Sequence, residues 1–374
     1  MLKLPKINSL ANQTAELMRE SITSGEWLRQ LPSERILCKK FLVSRNTLRH
    51  ALRKLHAEKL ILTKPGSGTR ILKKNHRPAP PPIDVGLLSP EPLERLRPTQ
   101  TLWIDELRAL LSERGCRMHL FHGQQYFGRN PGTELRRLVA ENPLGCWILT
   151  LSNAAIQKWF AANNVRCVVA GSVHAGLKLP SCDLDHRATC RHAAGVFLGL
   201  GHRKLALLLA QSQLAGAFES EAGFIEGVKR SPQGEAEALV CYHDGTNAGV
   251  SASLRQLMNL DAPPTAMLVA SSYHYLTAAG CLDQMGRRVP QDISLISRDD
   301  DLFLSYVIPT PARYRVGAHM LAKSLLKPIL ALLENRTPRL LAHRLMPEFV
   351  PGESLSRIAT SRHRACALAH GLSA

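Results

Sequence analysis

Residues 31–72 read LPSERILCKKFLVSRNTLRHALRKLHAEKLILTKPGSGTRIL, and their pattern decides what the amino-terminal fifth of this chain becomes. Ser33 is placed to cap a short helix, with Ile36, Leu37, Phe41 and Leu42 supplying its apolar face. Val43 breaks that pattern, and Ser44 is placed to cap a second helix. There Leu48, Ala51, Leu52 and Leu55 recur at the spacing of one buried stripe. At about 100° per residue, Asn46, Arg49, His50 and Arg53 fall on the opposite face, with Arg45 and Thr47 flanking the helix start. Leu60–Thr63 and Thr69–Leu72 read as two β runs joined by Lys64-Pro65-Gly66-Ser67-Gly68, whose glycines permit a tight turn. An apolar back and a front of Arg and Asn suit the major groove of a duplex.

Charge supports that reading. The formal net charge is +18, and residues 1–77 hold 17 Lys and Arg against 5 acids, so +12 of it sits there and only +6 on the rest. A basic first fifth on a nearly balanced body is the footprint of a nucleic-acid module. Aromatics are only 5% of the chain, which gives single-strand stacking little support.

Leu31-Pro32-Ser33-Glu34-Arg35, Val43 to Arg49, Ala51-Leu52, Leu55 and Gly66-Ser67-Gly68-Thr69 together resemble the winged-helix signature of GntR-type transcription regulators. The resemblance implies that Arg35, Arg45 and Arg49 touch DNA with Thr47 in support, and that Gly66-Ser67-Gly68 is the wing tip. Ser33, Ser44, Asn46 and Arg53 complete the expected contact set. Ahead of this stretch, Asn8 or Ser9 is placed to cap a packing helix whose stripe is Leu10, Thr14, Leu17, Met18 and Ile22, with Gly25 ending it.

Behind it, Asn75 to Pro82 holds four prolines in five residues, an extended spacer and a domain boundary. From Ile83 onward short apolar runs alternate with amphipathic helices. Strands are expected at 83–88, 117–122, 146–150, 165–170, 205–210, 238–242, 266–270 and 293–297, with helices at 102–113, 154–163, 186–200, 248–258, 275–285 and 316–333. Such alternation means a parallel α/β architecture. Spacing alone leaves an eight-stranded barrel and two doubly wound lobes both open.

Asp185-x9-Gly195-x5-Gly201-His202-Arg203-Lys204, Gly223-Phe224-x2-Gly227, Pro264 to Ala270, and Gly286 to Asp300 are similar to the effector domain of the lactose-repressor (LacI/GalR) family. That resemblance selects two lobes with a ligand cleft between them, like periplasmic sugar-binding proteins. It covers most of Ile83 to about Gly352. Two positions depart from the family pattern: Ser220 stands where an Arg is usual, and Ser272 where an Asp is usual. Serine offers neutral hydrogen bonds in place of charge-assisted ones. The expected cleft residues are Phe218, Ser220, Ser272, Tyr273 and the carboxylates Asp299 and Asp300, with Trp103 as a further aromatic.

Other chemistries are poorly supported. The glycine turn lacks the Gly-Lys-Ser/Thr ending of a phosphate loop, and His-Glu-x-x-His is missing. Asp299-Asp300-Asp301 is a carboxylate run on an extended chain, so its members alternate in direction and do not converge on one metal. Nine cysteines without a Cys-x-x-Cys pair suggest neither a disulfide framework nor zinc. No catalytic residues, metal or cofactor are expected, nor a signal peptide or membrane span.

The expected plan is a winged-helix domain at 1–74, a Pro-rich linker at 75–82, a ligand-sensing and dimerising α/β domain at 83–353, and a mobile tail at 354–374. The expected function is a cytoplasmic, homodimeric regulator that reads double-stranded operator DNA and senses a sugar-like small molecule. The alternative is a constitutive DNA-binding dimer with a degenerate effector domain.

Overall fold

The apolar stripes of the first stretch do what their spacing requires. In the computed structural model, which describes residues 10–23, 26–27, 29–64, 68–72, 83–231 and 236–358, the chain divides into two units, Met1–Pro82 and Ile83–Ala374. The first unit holds α1 (Leu10–Thr23), α2 (Glu34–Phe41), α3 (Arg45–Ala57) and the antiparallel pair β1 (Ile61–Lys64) and β2 (Gly68–Ile71). Leu48, Ala51 and Leu55 of α3 bury against Ala15 and Met18 of α1, Leu37 of α2 and Ile61 of β1. Trp27 closes this small core edge-on to Phe41, with the Lys40 ammonium 5.0 Å from its ring centre. Leu31 N–H donates to Thr69 O and Ile71 N–H to Arg29 O, so residues 29–31 add a short third ribbon to the hairpin.

Several expected details differ. Leu42 takes a left-handed backbone, φ 51°, to end α2, which turns its side chain outward to 90% exposure; Ile36 is also exposed. The apolar face of α2 is therefore carried by Leu37, with Cys38 and Phe41 packed beside it. On α1 the buried face runs through Thr14, Ala15 and Met18, and Leu10 and Leu17 are exposed. Ser33 precedes α2 without a side-chain capping bond, whereas Ser44 Oγ accepts from Thr47 N–H at 3.2 Å. The expected helix signals at Asn8, Ser9 and Gly25, the turn residues Gly66 and Ser67, and the linker 75–82 lie outside the described residues.

The second unit has two lobes. In the first, β3 (Ile83–Ser89), α4 (Pro98–Ser112), β4 (Cys116–His122), α5 (Gly132–Glu141), β5 (Cys146–Thr150), α6 (Ala154–Ala162), β6 (Cys167–Ala170) and β7 (Ser181–Leu184) follow in order. The chain then crosses to the second lobe for α7 (His186–Gly199), β8 (Lys204–Ala210), α8 (Ala215–Lys229), β9 (Glu237–His243), α9 (Asn247–Met258), β10 (Ala266–Val269), α10 (Ser272–Gln284), β11 (Ser294–Ser297) and β12 (Ala312–Arg315). It returns with α11 (Ala318–Leu333) and β13 (Ala342–Leu345), then crosses a third time to β14 (Glu348–Val350). The first sheet is fully parallel in the order β4-β3-β5-β6-β7-β13. The second runs β14-β12-β11-β10-β8-β9, with only β14 antiparallel. Each sheet is covered on both faces, which explains why central strands such as β5, β8 and β10 read as apolar runs. Two doubly wound lobes, not a barrel, are what the alternation encodes.

The motif residues have physical reasons. A Cβ on Gly223 would lie 2.1 Å from Arg187 O, and one on Gly227 2.8 Å from Arg191 O, so both glycines let α8 pack directly on the α7 backbone. His202 is buried, with Nδ1 2.9 Å from Thr265 Oγ1 and Nε2 3.1 Å from Ser294 Oγ, tying three strand ends together. One boundary needs correcting. Ser354 to Ile358, expected to open a mobile tail, is built into the second lobe: Ser354 Oγ donates to Leu295 O at 2.6 Å and Ile358 N–H to Leu200 O at 3.0 Å. The carbonyl of buried Leu295 on β11 and the one that ends α7 at Leu200 need such donors. Residues 359–374 lie outside the described residues.

Candidate nucleic-acid interface and ligand cleft

On α3 the side opposite Leu48, Ala51 and Leu55 is open. Arg45, Asn46, Arg49, His50 and Arg53 are all exposed there, as are Ser33, Arg35 and Ser44 at and around the start of α2 and α3. Arg35, Arg45, Asn46 and Arg53 have no side-chain hydrogen bond or ion pair to the described residues. Arg49 Nε lies 3.2 Å from Glu34, an exposed pair that costs little to release. Thr47 is half-buried, and its hydroxyl lies 2.9 Å from Ser44 Oγ, which fixes the first turn. Gly68 is exposed at the start of β2 with φ 76°, a backbone region glycine enters without strain. The expected contact residues that the structure describes therefore share one unit, and those on α3 other than Thr47 share one exposed face.

Between the lobes of the second unit lies a cavity of about 360 Å³, within the range of small-molecule sites. It opens at the carboxyl ends of the strands, where doubly wound sheets bind ligands. Trp103, Leu209, Leu214, Tyr314 and Leu325 supply apolar wall, and Arg97, Asp183, His186, His274, Arg298 and Asp299 supply polar wall. Cys182 also lines it, with its thiol pushed up to about 12 by burial, so it is a neutral wall group.

The three consecutive aspartates after β11 divide their work by direction. Asp299 reaches Arg97 of the first lobe and accepts from Arg298 Nε at 3.1 Å. Burial alone would raise its pKa; Arg298 and Arg97 outweigh that and hold the carboxyl well below the usual range. Asp301, buried, accepts from Thr99 N–H at the start of α4 at 3.0 Å and from the Ser272 hydroxyl. Asp300 points the other way, to Arg313 Nε at 2.8 Å and Arg315 Nε at 2.7 Å. Asp299 and Asp301 thus clasp the opposite lobe at the amino end of α4, while Asp300 braces β12 of its own lobe. Alternation along an extended chain explains the split. Among the described residues no group of three His, Cys, Asp or Glu side chains is arranged to hold a metal.

Of the six expected cleft residues, Asp299 and Asp300 line the cavity, and Phe218, Ser220, Ser272 and Tyr273 do not. Ser220 and Ser272 are fully buried behind the wall, and each is engaged by a charged group, Arg298 and Asp301 respectively. Phe218 is exposed on α8 with its ring against His174, and Tyr273 is exposed on α10 and stacked on Phe303 at 5.4 Å. Both helices present these rings one residue or more off the cleft-facing direction, a rotation that strand-and-helix counting does not fix. Sequence reasoning missed Arg97, Asp183, His186, His274 and Arg298. Arg298 follows β11 at its carboxyl end, and that position was the available signal. Arg97 follows a short helical turn and precedes Pro98, with no pattern to mark it.

The chain matches the model of the bacterial regulatory proteins of the gntR family over residues 4–71, and that of a periplasmic binding protein-like domain over residues 194–355. It carries a gntR-type winged-helix domain and a periplasmic binding protein-like domain. Relatives are the HTH-type transcriptional regulator AglR of Rhizobium meliloti, 28% identical over 158 residues, and CelR of Thermobifida fusca, 28% identical over 127 residues. These alignments cover 40% and 34% of this chain, and the chain spans 44% and 37% of the two relatives' lengths. Among solved structures, a putative transcriptional regulator LacI from Bacillus cereus subsp. cytotoxis superposes with a TM-score of 0.66 at 18% identity, covering 74% of this chain and 99% of that one. The transcriptional regulator CelR in complex with cellobiose superposes with a TM-score of 0.64 at 18% identity, covering 94% and 100%. Those likenesses establish the two-lobed fold. Among the described residues no helix is long and apolar enough to cross a membrane.

Proposed function

We propose that this protein is a sequence-specific DNA-binding transcription regulator whose two-lobed domain senses a small, sugar-like molecule. The observation that carries the first half is the exposed face of α3, where Arg45, Asn46 and Arg53 stand without partners among the described residues. Its Arg and Asn side chains match the donor and acceptor code of base edges in the major groove, and the rest of the basic unit suits phosphates. Ser33, Arg35, Ser44, Thr47, Arg49, Gly66, Ser67 and Gly68 are the further residues assigned to DNA contact. The interlobe cavity, with charged groups from both lobes, supports sensing over a constitutive regulator with a degenerate effector domain. No catalytic role is assigned, and the site of action is the cytoplasm, where the DNA is.

The regulator acts as a homodimer. Leu302, Tyr306 and Ile308 are 74%, 81% and 93% exposed on the second lobe, and the stacked Tyr273–Phe303 pair joins them to Leu276 on α10. An apolar patch of this kind is what a self-complementary interface covers. Two winged helices on one dimer read a two-fold-related site.

Selection of duplexes from random sequence by the full chain tests the reading. A recovered consensus with two related half-sites is expected, with affinity that changes when a saccharide stabilising the two-lobed unit is added. Recovery of no consensus would overturn it.

A further inference from the structure

Arg298, immediately after β11, brings a guanidinium to the interlobe cavity. Arg298 lines the cavity with its side chain 12% exposed. Its Nε and Nη2 donate to Asp299 Oδ1 and Oδ2 at 3.1 and 3.5 Å, and Nη1 donates to Ser220 Oγ at 2.7 Å. Ser220 Oγ donates its hydroxyl hydrogen bond to Gly216 O at 2.7 Å, so toward Arg298 it is an acceptor only. The guanidinium is thereby fixed on two sides. A guanidinium carries five N–H groups, and these contacts leave some of them for the cavity.

Asp183 faces the same cavity from the first lobe. Ser172 Oγ donates to its Oδ2 at 2.6 Å and Leu184 N–H to its Oδ1 at 2.8 Å, with His186 Nε2 3.5 Å from Oδ1. A carboxylate has about four lone-pair sites, so acceptor capacity remains, on Oδ2 above all. Burial would raise the Asp183 pKa; His186, Ser172 and the Leu184 N–H outweigh it and keep the group ionised. A fixed donor fork on one lobe and a fixed acceptor pair on the other suit adjacent hydroxyls, each of which both accepts and donates.

The wall's own pairing bears on the charge of the ligand. Of the charged groups that line the cavity, Arg97 and Arg298 are both paired with Asp299, and Asp300 is paired with Arg313 and Arg315 outside the lining. Asp183 has His186 3.5 Å away, and His274 is kept neutral near pH 7 by burial. With its guanidiniums already paired to carboxylates, the wall suits a neutral polar ligand better than an added ion, whose enclosure is costly.

We propose that Arg298, held by Ser220 and Asp299 and opposed by Asp183, is the residue that grips an uncharged ligand through a pair of adjacent hydroxyls. This rests on the sensing reading above. The test uses the full chain and a panel of neutral mono- and disaccharides, cellobiose included, each with its uronic acid, amino and deoxy counterparts, followed by thermal shift and calorimetric titration. A neutral saccharide is expected to stabilise the wild type, with at least tenfold weaker binding of its charged and vicinally deoxygenated counterparts. Arg298→Gln is expected to lose at least tenfold in affinity, and Arg298→Lys not to restore it, because an ammonium is a point charge and not a fork. Ser220→Ala leaves the ion pair in place and is expected to weaken binding at least threefold, which decides the matter if Arg298→Gln fails to fold. Unchanged affinity in these variants, or a charged counterpart binding as tightly as the neutral one, overturns this assignment alone. A wild type that no saccharide stabilises overturns the sugar-sensing reading and the assignment with it.

Discussion

On α3, Arg45 and Arg53 stand exposed with no side-chain partner among the described residues, while in the second lobe Arg298 and Arg313 are nearly enclosed and tied on two or more sides. The same side chain is put to two uses. An exposed guanidinium keeps its hydration and long reach, so it is available to phosphates and base edges, and salt screens it. An enclosed one must be matched by carboxylates and oriented by hydrogen bonds before the fold tolerates it, and orientation is then what it offers a ligand. The wing unit spends its arginines on contacts yet to be made. The cleft uses its arginines to fix geometry already present.

Breaking the enclosed set is expected to have the largest effect. Asp300→Ala strips Arg313, only 6% exposed, of its carboxylate and is expected to cost about 3–5 kcal/mol of stability, read as a fall in the urea midpoint of the two-lobed unit. A loss below about 1 kcal/mol would mean the pair is solvated and the contrast with α3 is wrong. On the exposed set, Arg49→Ala is expected to lose about 1–3 kcal/mol of operator affinity and to relax base preference, with stability changed by less than about 0.5 kcal/mol. Full operator affinity in that variant would remove Arg49 from the reading face.

Acid sharpens the comparison, because among the described residues it is the two-lobed unit that buries imidazole rings. Burial, with His274 beside it at 4.3 Å, depresses His243 from 6.5 to about 4. The unfolded chain therefore binds that proton more tightly, and stability present above pH 6.5 is lost as pH falls toward 4. Between pH 6.5 and 5 the melting temperature of the two-lobed unit is expected to fall by roughly 2–4 °C, and His243→Asn should flatten that slope. An equal slope in the variant would assign the loss elsewhere. The smallest effect belongs to the one α3 arginine that does have a partner. Glu34→Gln frees Arg49 and is expected to change stability by at most about 0.5 kcal/mol while tightening binding to duplex DNA of any sequence, most visibly at low salt. Weaker DNA binding in this variant would mean that Glu34 orients Arg49 for contact.

Most of the first unit was legible because its elements are short, local and amphipathic: the burial of Leu48, Ala51 and Leu55 follows from helical spacing alone. The misplaced residues, Leu42 and Ile36 at α2 and Leu10 and Leu17 on α1, fail at a turn and at a rotation of about one residue, where tertiary packing overrides the stripe. In the second unit the eight expected strands are present, but β7, β12, β13 and β14 escaped notice because each is only three or four residues long and holds charged or polar side chains. Helices α5 and α8 were likewise missed, the second because its packing face is made of glycines instead of leucines.

The sequence by itself determined the basic exposed face of α3, the doubly wound alternation and the clustering of carboxylates at 299–301. Periodicity, net charge and turn chemistry act over a few neighbouring residues, so they survive without the fold. Only the tertiary structure decided which groups meet in the cleft. Arg97 and Asp299 are 202 residues apart, and Ser220 and Arg298 are 78 apart. Contacts at such separations depend on where three chain crossings and two twisted sheets bring strand ends together, and no local pattern carries that information.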